Sequence, residues 1–207
     1  MTPYPIHLTI DYPERPLDRF STGFRIIYAL PILAVAAAVG GGTTQFGSGD
    51  RSYAWSAAGG LLFFAPLLMI VFRERYPRWW FDWNLNLARF TTRVTAFVAL
   101  MDDRYPSTED EQYVHLTLPY PDPKADLNRW LPLVKWFLAI PHYIVLFFLT
   151  IGAILAAIGA WFAILFTGRY PRGLFDYIEG VLRWHARVLG YAFLLLTDRY
   201  PPFSLAA

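Results

Sequence analysis

The sequence predicts an all-α integral membrane protein built from two tandem repeats. Of its 207 residues, 56% are hydrophobic and 18% are aromatic, which is more than soluble domains usually contain. The motif Arg75-Tyr-Pro-Arg78 is repeated as Arg169-Tyr-Pro-Arg172, and the motif Asp103-Arg-Tyr-Pro106 is repeated as Asp198-Arg-Tyr-Pro201. Each repeat is expected to hold a transmembrane helical hairpin followed by an amphipathic interfacial helix, with a short strand before each hairpin.

The repeated motifs also set the expected domain boundaries. The first repeat covers residues 1–106 and the second covers residues 114–207. Between them, residues 107–113 are mostly acidic or polar and show no periodicity. We therefore expect residues 107–113 to be a linker.

A short strand is expected at the start of each repeat. Residues 6–10 and 114–118 alternate apolar and polar side chains, and each run leads into a proline-rich turn. Such runs are typical of strands. Because an isolated strand is only marginally stable, we expect the two runs to pair with each other or with a partner, with His7 and His115 in equivalent places.

Long apolar stretches follow each strand. In the first repeat, a glycine-rich loop at residues 40–52 divides the stretch into segments 24–40 and 53–72, each close to the ~20 residues that cross a bilayer. In the second repeat, residues 131–167 are undivided and too long for one upright span. They form either a tight hairpin that turns near residues 150–152 or one long tilted helix with an interfacial start.

The distribution of charge favours two hairpins. Of the 18 Lys and Arg residues, 17 flank the apolar stretches, and only Arg51 lies in the first hairpin loop. If both basic flanks lie on one side of the membrane, each repeat crosses an even number of times, and that side is the cytoplasm. The sequence thus predicts four transmembrane helices with both termini cytoplasmic.

The segment after each apolar stretch predicts an amphipathic helix at the membrane surface. On a helix over residues 79–101, aromatic and aliphatic side chains gather on one arc beside a polar stripe; residues 176–191 repeat the pattern. Tryptophan rings prefer the headgroup layer. The expected interfacial aromatic residues are Trp79, Trp80, Trp83 and Trp184.

The polar stripe of each surface helix has two compatible explanations. Asp82 or Asp176 pairs with an arginine of the repeated motifs, which would fasten the helix to the hairpin. Alternatively, the arginines bind lipid phosphates through bidentate hydrogen bonds. The candidate headgroup or ion-pair residues are Arg75, Arg78, Asp82, Arg89, Arg93, Arg104, Arg169, Arg172, Asp176, Arg183, Arg187 and Arg199.

Few residues suggest chemistry. The chain has no cysteine, so no disulfide, zinc thiolate or iron–sulfur site is expected. The histidines His7, His115, His142 and His185 lack the spacing of a helical metal pair. No Gly-x-Ser-x-Gly, His-Glu-x-x-His or phosphate-binding glycine loop occurs. We expect no enzyme activity, no metal and no cofactor.

The repeated motifs resemble a known family. Gly168-Arg-Tyr-Pro-Arg172 and the stretch from Asp198 to Ser204 are similar to the bacterial membrane-protein family called domain of unknown function DUF4389, with one unit in each half. The first half departs at Trp79-Trp80, where the second has Gly173-Leu174. The resemblance implies a bacterial cytoplasmic membrane location and assigns no reaction.

The leading hypothesis is a non-catalytic accessory or scaffolding subunit of a larger membrane assembly that contacts lipid headgroups. Its expected partners are membrane lipids and other membrane-protein subunits or a second copy, without nucleic acid. One alternative is a membrane-shaping hairpin protein. Another is lipid or small-ion handling at the hairpin interface, with His142, Lys135 and Arg25 as the polar route.

Overall fold

The structure, a computed structural model, describes residues 4–40, 45–46, 53–54, 58–108, 110 and 112–206. Most of this part of the chain is helical, as the sequence predicts. In chain order, the elements are β1 (His7–Ile10), α1 (Arg19–Gly23), α2 (Arg25–Gly40), β2 (Gln45–Phe46), β3 (Tyr53–Ala54), α3 (Ala58–Arg73), α4 (Arg78–Val98), β4 (Val114–Thr117), α5 (Pro132–Leu138), α6 (Ile140–Thr167), α7 (Arg172–Val188) and a π-helical turn at Leu189–Phe193.

The two predicted strands pair with each other. β1 and β4 are antiparallel, with His7 opposite Thr117 and Thr9 opposite His115. The two histidines therefore occupy equivalent places, which confirms that expectation. β2 lies in the predicted glycine-rich loop and pairs with β3, which stands at the start of the predicted segment 53–72; residues 41–44 and 47–52 of the loop lie outside the described residues.

The second apolar stretch forms one helix rather than a hairpin. α6 runs without interruption through residues 150–152, where a turn was predicted. Gly152 serves instead to admit the Tyr177 ring, whose hydroxyl would collide with a side chain at this position. The short α5 precedes α6, so the alternative of one long helix is the one observed. α6 ends at Gly168, whose left-handed φ of 74° suits glycine.

Among the described residues, one helix could span a membrane. α6 is long and apolar enough to cross a bilayer, whereas the described apolar part of α2 is shorter. α2 and α3 have 16 residues each, so each is about 24 Å long at ~1.5 Å per residue. The described helices therefore supply one candidate membrane span, whereas the sequence predicts four.

α7 lies antiparallel along α6. Trp184 Nε1 donates a hydrogen bond to His142 Nδ1 at 3.0 Å, and the Tyr177 hydroxyl donates to the Leu149 carbonyl at 3.1 Å. Nearer the start of α7, Leu174 lies beside Gly159. The apolar arc of α7 that was expected to face lipid therefore packs against α6.

α4 and the π-helical turn that follows α7 both end several residues before the proline of the Asp-Arg-Tyr-Pro motif, where the sequence predicts the helix end. α4 ends at Val98, and Leu100 then takes a left-handed φ of 67°. The Leu100 and Met101 amides donate to the carbonyls of Phe97 and Ala96, which is the hydrogen-bond pattern of a Schellman motif. In the second half, Leu195 has a left-handed φ of 56°. Both leucines are buried, so packing holds them where glycine is more usual.

Candidate functional site

A buried cation meets an aspartate of the Asp-Arg-Tyr-Pro motif in each half of the chain. Arg25 Nη2 lies 2.5 Å from Asp103 Oδ1. Lys135 Nζ lies 2.7 Å from Asp198 Oδ1. Arg25 and Lys135 are 2% and 0% exposed. Because unpaired charge is costly inside a protein, each pair fastens the start of an outer helix to the end of the helix that packs on it.

Backbone contacts complete each cluster in the same way. Arg25 Nη1 donates to the Asp102 carbonyl at 3.0 Å, and Lys135 Nζ donates to the Thr197 carbonyl at 2.7 Å. The second oxygen of Asp103 accepts from the Asp18 amide at 2.8 Å. In the other half, the Asn128 amide donates to Asp198 at 2.5 Å.

The first half adds a second carboxylate to its cluster. Asp102 lies 2.9 Å from Arg15 and 3.1 Å from Arg104, and it also accepts the Arg104 amide at 2.8 Å. Burial acts to raise the pKa of Asp102, but the hydrogen bonds and charge of Arg104 together with the charge of Arg15 hold it below the usual value. The residue at this place in the second half is Thr197.

Tyrosines connect the two halves in crossed pairs. The Tyr12 hydroxyl donates to the Tyr170 carbonyl, and the Tyr120 hydroxyl donates to the Tyr76 carbonyl, both at 2.5 Å. Tyr76 and Tyr170 then donate to carbonyls at the end of the opposite half's helix, at 2.9 and 3.0 Å. The tyrosines of the repeated Arg-Tyr-Pro-Arg motifs thus hold one half against the other.

Two arginines of the predicted stripes bind strand backbone. Arg89 donates to the Leu116 carbonyl at 3.1 Å, and Arg183 donates to the Leu8 carbonyl at 2.9 Å. Arg183 additionally reaches the Leu205 carbonyl at 3.0 Å and lies 2.7 Å from Glu179. These contacts cross between the halves, since each helix reaches the strand that begins the other repeat.

The next arginine of each stripe is buried and binds the chain after its helix. Arg93 donates to the Ser107 carbonyl at 2.6 Å. Arg187 donates to the Ser204 carbonyl at 3.1 Å and to the Ala206 carbonyl. Burial and the neighbouring Arg183 charge lower the pKa of Arg187. Both guanidinium groups thus have carbonyl partners within the protein.

The remaining candidate residues lie at the surface. Arg78 stacks on Tyr120 and Arg172 on Tyr12, with the guanidinium carbon 5.1 and 4.2 Å from the ring centre. Asp176 pairs with Arg172 at 3.5 Å, but both belong to α7, so the pair does not fasten α7 to another element. The other members, Arg75, Asp82, Arg104, Arg169 and Arg199, are exposed.

The predicted interfacial tryptophans divide into two groups. Trp79 and Trp83 are exposed by 66% and 39%, as a residue of the headgroup layer would be. Trp80 and Trp184 are instead buried within the protein. Trp184 is held by His142 on α6, because the long apolar helix covers this side of α7.

A large apolar surface is exposed along the outer helices. α1 contacts α6 through the Trp161 Nε1 hydrogen bond to the Thr22 carbonyl at 3.1 Å, and α3 contacts α5. The exposed apolar side chains therefore continue from one helix to the next. We call them the outer apolar surface; it includes Phe20, Phe24, Ile27, Leu30, Trp136, Phe137, Ile144, Phe147, Phe148, Ile151, Leu155, Phe162 and Phe166.

Sequence reasoning missed the buried pairs of Arg25 with Asp103 and Lys135 with Asp198. A signal was present, because Arg25 matches Lys135 in the aligned basic segments and Asp103 matches Asp198 in the motif. These contacts form because the chain that follows α4 packs on α2 and the chain that follows α7 packs on α5. The prediction instead placed each amphipathic helix by itself at the membrane surface.

Comparison with known families locates one match. The family model described as Domain of unknown function (DUF4389) matches residues 130–204, so this part of the second half is similar to that family. The match has one copy, and the first half lies outside it. Comparisons with curated proteins and with solved structures find no match.

Proposed function

We propose that this chain is a non-catalytic protein of the bacterial cytoplasmic membrane that places its outer apolar surface in one leaflet and serves as an accessory or scaffolding subunit. The observation that carries the proposal is the run of exposed aromatic and aliphatic side chains along α6, from Ile144 to Phe166. Exposed apolar areas larger than those of ordinary soluble monomers mark membrane or protein contacts. Aromatic side chains within this surface suit the bilayer interface.

The proposal places α6 along the membrane plane. Its 28 residues make it about 42 Å long at ~1.5 Å per residue, whereas the hydrocarbon core is about 30 Å thick. In an upright α6, the core would therefore include residues 148–159 whichever end protruded.

Charged side chains of α7 argue against the upright position. Asp176 lies between Leu174, which is beside Gly159, and Tyr177, which is beside Gly152. The side chains of Asp176 and Arg172 are 58% and 66% exposed. An upright α6 would thus bring Asp176 into the hydrocarbon core with its charge facing lipid, which is strongly unfavourable. A helix lying in the plane leaves that pair in the headgroup layer or in water.

Two tandem units related by an approximate two-fold axis along the membrane normal are part of the proposal. The matched buried pairs, the crossed tyrosines and the crossed arginine contacts support it. With such an axis, the exposed side chains of α2 and those of α6 face the same leaflet. Arg89 and Arg183 then have a structural role, because their contacts with Leu116 and Leu8 join the two units, and the cytoplasmic side keeps both termini.

Membrane shaping is a second candidate function. It is favoured by the position of the outer apolar surface on α1, α2, α5 and α6, since side chains inserted into one leaflet expand that leaflet alone. Reconstitution into liposomes at rising protein-to-lipid ratios tests it. We expect smaller vesicles as the ratio rises, and an unchanged vesicle size would count against shaping while leaving the scaffold proposal intact.

Single-cysteine labelling tests the in-plane position directly, because the chain has no cysteine of its own. Exposed Lys124 and Arg169 flank the two ends of the α5–α6 stretch and each can be replaced by cysteine. We expect a membrane-impermeant maleimide to reach both positions from the same side in oriented membrane vesicles. Labelling from opposite sides would show that α6 spans the bilayer and would overturn the in-plane proposal.

The accessory role is tested by extraction from the native membrane in mild detergent. Mass spectrometry of what remains bound should find a stoichiometric protein partner. Recovery of the chain with lipid alone would contradict the accessory role and leave membrane organisation as the function. An Arg172→Gln variant is the control for nonspecific contacts, because its side chain is exposed and leaves the outer apolar surface unchanged.

A further inference from the structure

A groove of about 860 Å³ opens where α3 ends and the chain after β4 turns. Arg73, Arg75 and Lys124 line it together with Trp79 and Tyr120. Within the described part of the chain, no ion pair engages these three cations. The groove therefore offers cationic side chains beside aromatic rings.

The carboxylates that line the groove are engaged elsewhere. Glu74 lies 3.5 Å from Arg129. Asp122 Oδ1 accepts the Lys124 amide at 3.0 Å, and Asp126 Oδ2 accepts the Asp122 amide at 3.1 Å. These contacts hold the acids to backbone amides or to Arg129, and within the described residues no ion pair joins them to Arg73, Arg75 or Lys124. The three cationic groups can therefore bind an anion.

Exposed apolar side chains occur on α3 and α4, the two helices that contribute residues to the groove. Phe72 of α3 is 71% exposed and Trp79 of α4 is 66% exposed. Trp79 lines the groove, and tryptophan side chains favour the boundary between headgroups and acyl chains. A molecule with an anionic head and an apolar tail matches this combination of cations and apolar surface.

The second half lacks the same groove walls. Trp79 corresponds to Gly173, beside which a side chain would meet nothing within 4 Å. Glu74, with a left-handed φ of 48°, corresponds to Gly168, with a φ of 74°. A glutamate in this conformation is strained, whereas glycine adopts it freely. Glu74 and Trp79 thus give the groove side chains that the corresponding positions of the second half, Gly168 and Gly173, lack.

We propose that this groove binds the headgroup of an anionic phospholipid, with Arg73, Arg75 and Lys124 around the phosphate and with Trp79 and Phe72 beside the acyl chains. Arginine recognises phosphate through paired hydrogen bonds, and lysine acts as a point charge. The inference rests on the proposed membrane function and adds a lipid class to it. Phosphatidylglycerol is the test ligand, because its phosphodiester and glycerol carry the required charge and polarity.

Native mass spectrometry of the full chain in mild detergent tests the inference. The chain is titrated with phosphatidylglycerol or with phosphatidylcholine of the same acyl chains. We expect tighter binding of phosphatidylglycerol, and we expect Arg75→Ala to weaken it about tenfold, because a charge-assisted hydrogen bond is lost. Arg169→Ala is the matched control at the corresponding place in the second half, and it should leave the affinity unchanged.

Two further arms separate the alternatives. Trp79→Gly gives the first half the residue of the second and should weaken phosphatidylglycerol binding without changing its selectivity over phosphatidylcholine. Soluble glycerol phosphate should compete poorly, since it has no acyl chains. Equal competition by glycerol phosphate, or equal losses in the Arg75 and Arg169 variants, would overturn the lipid assignment.

The proposed function and this inference fail in different ways. If the native chain binds neither phosphatidylglycerol vesicles nor phosphatidylcholine vesicles, the membrane proposal is contradicted. Equal affinity for phosphatidylglycerol and phosphatidylcholine contradicts the groove assignment alone. Circular dichroism of each variant confirms that a lost affinity is not a lost fold.

Discussion

The two halves of the chain hold a buried cation at the same place with different chemistry. Arg25 meets Asp103 in a cluster that also contains Asp102, whereas Lys135 meets Asp198 beside the uncharged Thr197. What they share is a cation that donates to the motif aspartate and to the carbonyl before it. The shared part is what the fold needs, and the second carboxylate is an addition of the first half.

The apolar stretch is divided into α2 and α3 in the first half, whereas α6 is continuous in the second. Matching residues of the two halves are 110 positions apart before this stretch, from Arg25 to Lys135, and 94 positions apart after it, from Tyr76 to Tyr170. The first half therefore contains 16 more residues between these positions, and they fall where α2 ends and α3 begins. In both halves the end of the apolar stretch accepts a hydrogen bond from the other half. Arg129 donates to the Val71 carbonyl near the end of α3, and the Leu17 amide donates to the carbonyl of Gly168 after α6. The insertion thus left the contacts between the halves in place.

Removal of the lysine from the second cluster should have the largest effect. Lys135→Ala leaves Asp198 without its cation in the interior, which costs about 3–5 kcal/mol of unfolding free energy. Denaturant unfolding in detergent, followed by tryptophan fluorescence, measures it. Lys135→Arg gives the second half the cation of the first and should recover most of the loss. Equal destabilisation by both substitutions would show that the cluster tolerates one cation geometry only.

The crossed arginines should differ in a predictable order. Arg183 binds two carbonyls and Glu179, while Arg89 binds the Leu116 carbonyl. Because each buried polar group left without a partner is destabilising, Arg183→Ala should lower the unfolding free energy by about 2–3 kcal/mol and Arg89→Ala by about 1 kcal/mol. The same unfolding measurement checks the order. A larger loss at Arg89 would contradict the contacts described for the two helices.

The extra carboxylate of the first half should make its cluster sensitive to acid. Asp102→Thr supplies the residue of the second half and should lower stability at pH 6 by about 1–2 kcal/mol. The folded pKa of Asp102 lies below its usual value. Its contribution is therefore complete above the unfolded pKa of about 3.9 and is lost as the pH falls through the lower folded pKa.

Unfolding of the native chain and the variant between pH 2 and pH 6 tests this dependence. The difference between their unfolding free energies should shrink as the pH falls. Asp176→Asn is the control, because that carboxylate is exposed and lies outside the cluster. A constant difference across the range would show that Asp102 acts through shape rather than charge.

Local patterns predicted the strands and most helices, while tertiary contacts decided the rest. The alternation in residues 6–10 identified β1, and its match at residues 114–118 identified the strand with which it pairs. The amphipathic pattern located α7 but assigned its apolar arc to lipid, because periodicity shows that a face is apolar without showing what covers it. Here α6 covers it, through contacts such as Trp184 with His142.

The same limit applies to the arginines. The sequence pattern put Arg93 and Arg187 at equivalent places on the two polar stripes, but it could not show that carbonyls of the chain after each helix bind them. Charge alone suggests a lipid phosphate or an ion pair. In the same way, the polar composition of residues 107–113, the predicted linker, gave no sign that Tyr113 at its end is fully buried.

The smallest expected effect belongs to the exposed pair on α7. Asp176 and Arg172 lie 3.5 Å apart with most of both side chains in contact with the surroundings, and exposed pairs contribute little. Asp176→Asn should therefore change the unfolding free energy by less than about 0.5 kcal/mol in detergent. In a bilayer, however, the result depends on where α7 lies. If α6 spanned the membrane, removal of a lipid-facing charge would stabilise the chain, whereas an in-plane α6 predicts no difference between detergent and bilayer.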